Sequence, residues 1–266
     1  MNKHLAFFRI SLKKTLEIRT RILIWFLYDV GPALIMLFFW QAVFKTRSQV
    51  AGYDFTSLVY YYFVIMFCRD LVLTHPDEPL QQEILSGQIN VYLSRPLGLL
   101  SLKLLYELAY KFFKFLYLVP VLIGCYFLFL KGKSFGFDFK LVNLAFFLLS
   151  CGLSFCLYFF LKFSIGILAF WFTDVEWVTS LEELVFWFFG GLLLPLDLLP
   201  VFMQRLAKFL PFQYLFYLPS QGLLGRLTPN QMFFSLLIQF FWLFLFFILA
   251  KRLYRAGLKI YAAFGG

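Results

Sequence analysis

Three acids, Asp77, Glu78 and Glu83, fall within seven positions, with Gln82 among them and Gly87 just after, in a polar stretch spanning residues 75–103. Carboxylates and an amide at this spacing sit on neighbouring turns of a helix, where they can grip a basic or hydrogen-bonding surface on another molecule. Two further charges stand alone in apolar surroundings: Asp29, two residues before Gly31-Pro32, and Lys162. An ionisable group in such a place is costly and marks a pairing or a pathway. Asp29 can pair with Lys162 or with basic residues near one membrane face, or line a route through the chain. Lys162 can meet an anionic solute or extend its ammonium to the interface. Bond-breaking chemistry has no foothold beside these groups. The sequence contains no GxxxxGK[ST] phosphate cradle, no HExxH and no GxSxG. Its two histidines, His4 and His75, are far apart, so catalytic residues, a resident metal and a cofactor on this chain are not expected.

The elements that carry these groups are built for lipid. Hydrophobic residues make up 62% of the 266, with 40 Phe and 15 Tyr, and only 14% are charged, against roughly 25% in an ordinary soluble domain. A helix of about 20 apolar residues crosses the hydrocarbon core with its backbone amides paired internally. Six runs satisfy this, at about 22–44, 57–74, 104–130, 141–172, 181–200 and 231–250. The expected fold is therefore an all-α polytopic membrane protein with six transmembrane helices in a single domain over residues 1–266. Residues 201–230 hold Pro211, Pro219, Gly222 and Gly225, too many breaks for a straight span, and are read as re-entrant helices at the outer face between spans five and six.

Orientation follows from the basic residues. Lys3, Arg9, Lys13, Lys14, Arg19 and Arg21 precede the first run, and Lys251, Arg252, Arg255 and Lys259 follow the last, so both termini are expected in the cytoplasm with an even number of spans between them. Lys131, Lys133 and Lys140 on the outer side go against this rule. Within residues 1–21, Leu5, Phe8, Leu12 and Leu16 form one stripe and Lys3, Lys13, Lys14 and Glu17 lie opposite, the pattern of an interfacial amphipathic helix drawn to anionic membrane lipid. The first run has no small-residue cleavage site, so it is expected to remain as an anchor. Cys68, Cys125, Cys151 and Cys156 all fall in apolar runs and read as buried thiols. The net charge of +10 is explained by basic residues at membrane edges, with no nucleic acid implied.

With the termini inside, residues 75–103 follow the second span into the cytoplasm. The pattern predicts a helix up to Ser86 closed by Gly87, then a short element from Gln88 to Ser94 stopped by Arg95-Pro96. Two short helices with acidic faces lying across the membrane surface form a docking surface for a soluble partner. The alternative is a plain solvated connector.

The run Glu83-Ile84-Leu85-Ser86-Gly87-Gln88, with Tyr92-Leu93-Ser94-Arg95-Pro96-Leu97 after it, resembles the intracellular segment of a bacterial subfamily of type 2 ABC transporter permeases. The tail Arg252-Leu253-Tyr254-Arg255-Ala256-Gly257-Leu258-Lys259-Ile260-Tyr261, closing on Phe264-Gly265-Gly266, is similar to that subfamily's basic, glycine-punctuated end. Pro195, Pro200, Leu210-Pro211-Phe212, Pro219 and Gly222 resemble its outer re-entrant segment. The resemblance implies a permease subunit of an ATP-driven exporter in the bacterial inner membrane, with ATP and Mg held on a separate ABC ATPase subunit. It implies a second permease copy, or a related permease, and a hydrophobic or amphiphilic substrate. Residues 75–103 then become the coupling segment, with Asp77, Glu78, Gln82, Glu83 and Gly87 as ATPase contacts. Two other classes stay open: a secondary transporter or channel without an ATPase, and a membrane-embedded enzyme.

Overall fold

A computed structural model describes residues 22–93, 98–125 and 140–265. The amphipathic arm, Arg95-Pro96 and the lysines at 131 and 133 lie outside the described residues. The long elements among these residues are all helices: α1 (Ile22–Val43), α2 (Phe55–Val72), α3 (Asp77–Leu85), α4 (Ile89–Leu93), α5 (Leu99–Cys125), α6 (Leu141–Ile167), α7 (Glu176–Phe189), α8 (Val201–Phe209), α9 (Phe212–Leu215), α10 (Tyr217–Leu223) and α11 (Pro229–Gly265).

Three helical stretches among the described residues are long and apolar enough to cross a membrane: one that begins with α2, one on α6 and one on α11. Helices α1 and α5 run for 22 and 27 residues. The run at 181–200 differs from the expected continuous span. Helix α7 begins earlier, at Glu176, and stops after 14 residues, a length of about 21 Å against a hydrocarbon core of about 30 Å. Gly190 caps it, at a place where a side chain would collide with the Phe186 carbonyl and the Phe216 ring. Gly191 follows with φ +81°, backbone that favours glycine. Pro195 and Pro200 then flank a short 3-10 turn, Leu196–Leu198, before α8. Apolar composition alone did not reveal that this run is divided.

Helix α6 is the hub, packing against α11, α3, α10 and α2. It carries a fully enclosed row that includes Leu157, Phe159, Phe163 and Ile167. The outward face of α11 presents Phe233, Phe240, Phe241 and Phe244, the character of a helix that faces lipid. Midway along, the buried Gln239 of α11 donates from Nε2 to Ser154 Oγ at 2.9 Å and to the Tyr214 carbonyl at 2.6 Å, while Ser150 Oγ donates to Gln239 Oε1 at 2.9 Å. This latch ties α11, α6 and the broken segment together at a depth where an unpaired amide would be expensive.

Helices α2, α6 and α11 give the molecule two ends. At one, Asp54 caps α2: its carboxylate accepts from the Ser57 backbone N–H at 3.2 Å and from the Ser57 hydroxyl. That hydroxyl holds the Asp54 carboxyl below the usual carboxylate range. At the other end, α2 leads through Thr74 and Pro76 directly into α3.

Candidate functional site

Helix α3 is short because it is punctuated on both sides. Pro76 precedes it, and Asp77 and Glu78 in its first turn suit the positive end of the helix dipole. Ser86 closes it, donating from its hydroxyl to the Gln82 carbonyl at 2.7 Å. Gly87 then turns the chain with φ +75°, a conformation that disfavours any other residue. Helix α4 follows at once.

The inward face of α3 is locked to the bundle. Gly166 of α6 has no side chain where a Cβ would stand 2.8 Å from Asp77 Cα and 3.2 Å from Leu80 Cβ, so the two helices meet backbone to backbone. One turn earlier on α6, Lys162 is wholly buried and places Nζ 3.2 Å from Asp77 Oδ2 and 3.0 Å from Glu182 Oε2 of α7. Thr179 Oγ1 also donates to Asp77 Oδ2, at 3.3 Å. Leu80 and Ile84 complete the seat, in one buried cluster with Phe159, Phe163 and Ile167 of α6. A buried ammonium held between two carboxylates resists removal of any one member, because the charge left behind has no solvent to stabilise it.

Helix α5 grips the same segment from another side. Lys103 donates to Glu83 at 2.7 Å, and Tyr92 of α4 donates to Glu83 Oε1 at 2.8 Å. Lys111 donates to the carbonyl of Asp70 at 2.7 Å and to that of Leu73, satisfying carbonyls that the end of α2 leaves open. The extension of α11 arrives from a fourth direction. Gly257 lets the Phe170 ring lie against the α11 backbone, Phe170 meets Tyr261 edge to face, and Tyr261 Oη reaches the Gly87 carbonyl at 3.5 Å.

The residues singled out in the sequence therefore divide. Glu78 and Gln82 are exposed, joined on the same face by Pro79, Ser86 and the half-exposed Leu85. Asp77 is 2% exposed and holds Lys162. Glu83 is engaged by Lys103 and Tyr92, and Gly87 sits beneath Tyr261. Lys162 pairs with Asp77 and Glu182; Asp29 lies on α1, where only the backbone is described. Gly166, Glu182, Lys103 and Leu85 were not found from the sequence. One signal was available for Gly166: it stands four residues after Lys162, on the same side of α6.

Among the described residues no group of His, Cys, Asp or Glu could hold a metal. The charged cluster positions a helix. A family model described as ABC-2 family transporter protein matches residues 30–265. The chain belongs to the ABC-2 transporter family. It is an ABC-2 type permease, an integral membrane protein and a transporter component rather than an enzyme. No curated protein matches the chain. In this permease the match begins inside α1 and takes in α3, the ion cluster around Lys162 and the extended α11.

Proposed function

We propose that the chain is the membrane subunit of an ATP-driven exporter, driven through α3 by a separate ABC ATPase that carries ATP and Mg, and that it works with a second permease copy in the bacterial inner membrane. Six helices, α1, α2, α5, α6, α7 with the broken segment after it, and α11, would form each half of the pathway, with both termini cytoplasmic. The observation that carries this reading is the seating of α3. Its outward face offers Glu78, Pro79, Gln82 and Leu85, while its inward face is fastened to α6 and α7 by Asp77, Lys162 and Glu182. A push on the outward face then moves α6 and α7 and not a loose loop. Coupling requires that the ATPase hold α3 differently in its two nucleotide states, since a contact shifts an equilibrium only by its differential affinity.

A hydrophobic or amphiphilic substrate is supported by a cavity of 220 Å³ between α1, α2 and α7, whose lining includes Ile35, Met36, Tyr62, Ile65, Met66 and Trp187. The Arg69 guanidinium lies over the Trp187 ring at 5.6 Å.

The test is co-purification with the ATPase and stimulated ATP hydrolysis in E78K/Q82K, two changes on the outward face. Both signals should fall about ten-fold or more if rim charges set the encounter. Retention of both at the level of the unmodified permease would remove α3 from the interface.

A further inference from the structure

A second polar assembly occupies the opposite end of α2 from α3. Four separate segments meet there. Tyr53, in the loop before α2, donates from its hydroxyl to Asp197 Oδ2 at 2.9 Å, and Tyr217 of α10 donates to the same oxygen at 2.7 Å. Gln221, one turn along α10, donates from Nε2 to Tyr53 Oη at 2.7 Å. Arg226 lays its guanidinium over the Tyr53 ring at 3.8 Å, close enough for a cation–π contact. Gln204 of α8 holds the turn that presents Asp197, donating to the carbonyls of Asp197 and Leu199 at 3.2 and 2.8 Å.

These groups border a cavity of 300 Å³ whose lining includes Asp197, Lys208, Gln213, Gln221, Arg226 and Gln231. That is the low end of the range for small-molecule sites, about 300–1,000 Å³, so it suits a head group or small solute rather than a large molecule. The hydrogen bonds indicate its polarity. Both hydroxyls of the Tyr53–Tyr217–Gln221 chain just described are spent on Asp197, and Gln221 spends one of its two amide N–H groups on Tyr53. Burial, then the nearby Asp197 carboxylate, pushes the Tyr53 hydroxyl up to about 12, so it keeps its proton for Asp197 at any physiological pH. One acceptor is left unmet: Gln221 is 2% exposed, lines the cavity, and its Oε1 has no hydrogen-bond partner among the described residues. A buried amide oxygen left this way calls for a donor. At the rim, Lys208 and Arg226 supply positive charge on exposed side chains.

We infer that this cavity binds a small group that carries both an anion and an N–H or O–H donor, the donor meeting Gln221 Oε1 and the anion meeting Lys208 and Arg226. The head of an amphiphile and a free phosphate ester share that chemistry. The assignment rests on the cavity alone and is independent of whether α3 contacts an ATPase.

The test uses the full chain in phosphatidylcholine nanodiscs, whose head groups lack an N–H donor, titrated calorimetrically with phosphoethanolamine and with phosphocholine. Phosphoethanolamine should bind about ten-fold more tightly, the discrimination that an otherwise unpaired buried acceptor gives. Q221M should bring the two probes within about two-fold, and R226A should weaken both by a similar factor, as expected for a contact to the anion they share. Exchange of the nanodisc lipid for phosphatidylethanolamine should abolish binding of the soluble probe if a lipid head is the occupant and leave it intact if a free solute is. Equal binding of the two probes to the unmodified chain, or a preference that survives in folded Q221M, would overturn the assignment. So would absence of binding by either probe in both lipids while the thermal midpoint of unfolding is unchanged between them.

Discussion

The two ends of α2 hold a carboxylate in opposite ways, Asp77 buried and Asp197 exposed. At the α3 end, Asp77 is held by a full positive charge, Lys162, which also holds Glu182, and the three belong to three different helices. At the Tyr53 end, Asp197 is held by two phenol hydroxyls, and Arg226 is turned onto the Tyr53 ring. The first arrangement is closed and strongly interdependent, which suits the force-carrying role proposed for α3. The second is neutral in its donors and opens to a cavity, so a bound group can enter it without breaking an ion pair.

The comparison breaks most sharply at Lys162. In K162M, Asp77 and Glu182 lose their only shared cation among the described partners, and removal of one member of a buried pair costs about 3–5 kcal/mol. Thermal unfolding in nanodiscs should show it as the largest loss among the variants considered. The triple variant K162M/D77N/E182Q, with no charge left to strand, should recover most of that loss. At the other end, Y217F removes one neutral donor from a carboxylate that keeps Tyr53. It should cost about 1.5 kcal/mol, the low end for a bond to a charged group because Asp197 is exposed, and no companion change should be needed for the chain to fold. Equal losses for K162M and Y217F would erase the distinction between the two ends.

Gly166 sharpens the same comparison through shape. An alanine in a helix interior normally gains about 1 kcal/mol over glycine. Here the added Cβ would meet Asp77 Cα at 2.8 Å, and overpacking of this kind costs about 1–3 kcal/mol. G166A should therefore lower the unfolding midpoint and raise amide exchange across α3 while leaving exchange at α10 unaltered. The smallest effect belongs to the α2 cap. D54A should cost about 1 kcal/mol. Because the Asp54 carboxyl is held low by Ser57, its contribution is complete above the ordinary carboxylate range and fades as pH falls through the lowered value. The gap between the unmodified chain and D54A should close on acidification, as read by unfolding midpoints at a series of pH values.

Much of the α3 end was legible in the sequence. Gly87 marks the end of the helix because only a positive φ turns the chain there, and three acids among apolar runs announce a polar element. A charge at Lys162 also announces the need for a partner. Its identity was not legible: Asp77 lies 85 positions away, and sequence separation gives no distance in space. Glu182 read as one more acid beside Asp174, Glu176 and Glu183. The division of the fifth run was half visible, since Gly190-Gly191 and Pro195 were there to be read, but the apolar composition around them spoke for a span. The Tyr53 end left no pattern at all. Tyr53 and Asp197 are separated by 144 positions, and neither tyrosine stands out in a chain with 15.

If α3 couples as proposed, its inward face transmits what its outward face receives. The most direct measurement is ATP hydrolysis by the ABC ATPase reconstituted with K162M/D77N/E182Q, whose Glu78 and Gln82 are untouched. Coupling through α3 requires that this variant still co-purify with the ATPase but stimulate its hydrolysis about ten-fold less. Stimulation equal to that of the unmodified permease, at equal co-purification, would contradict it.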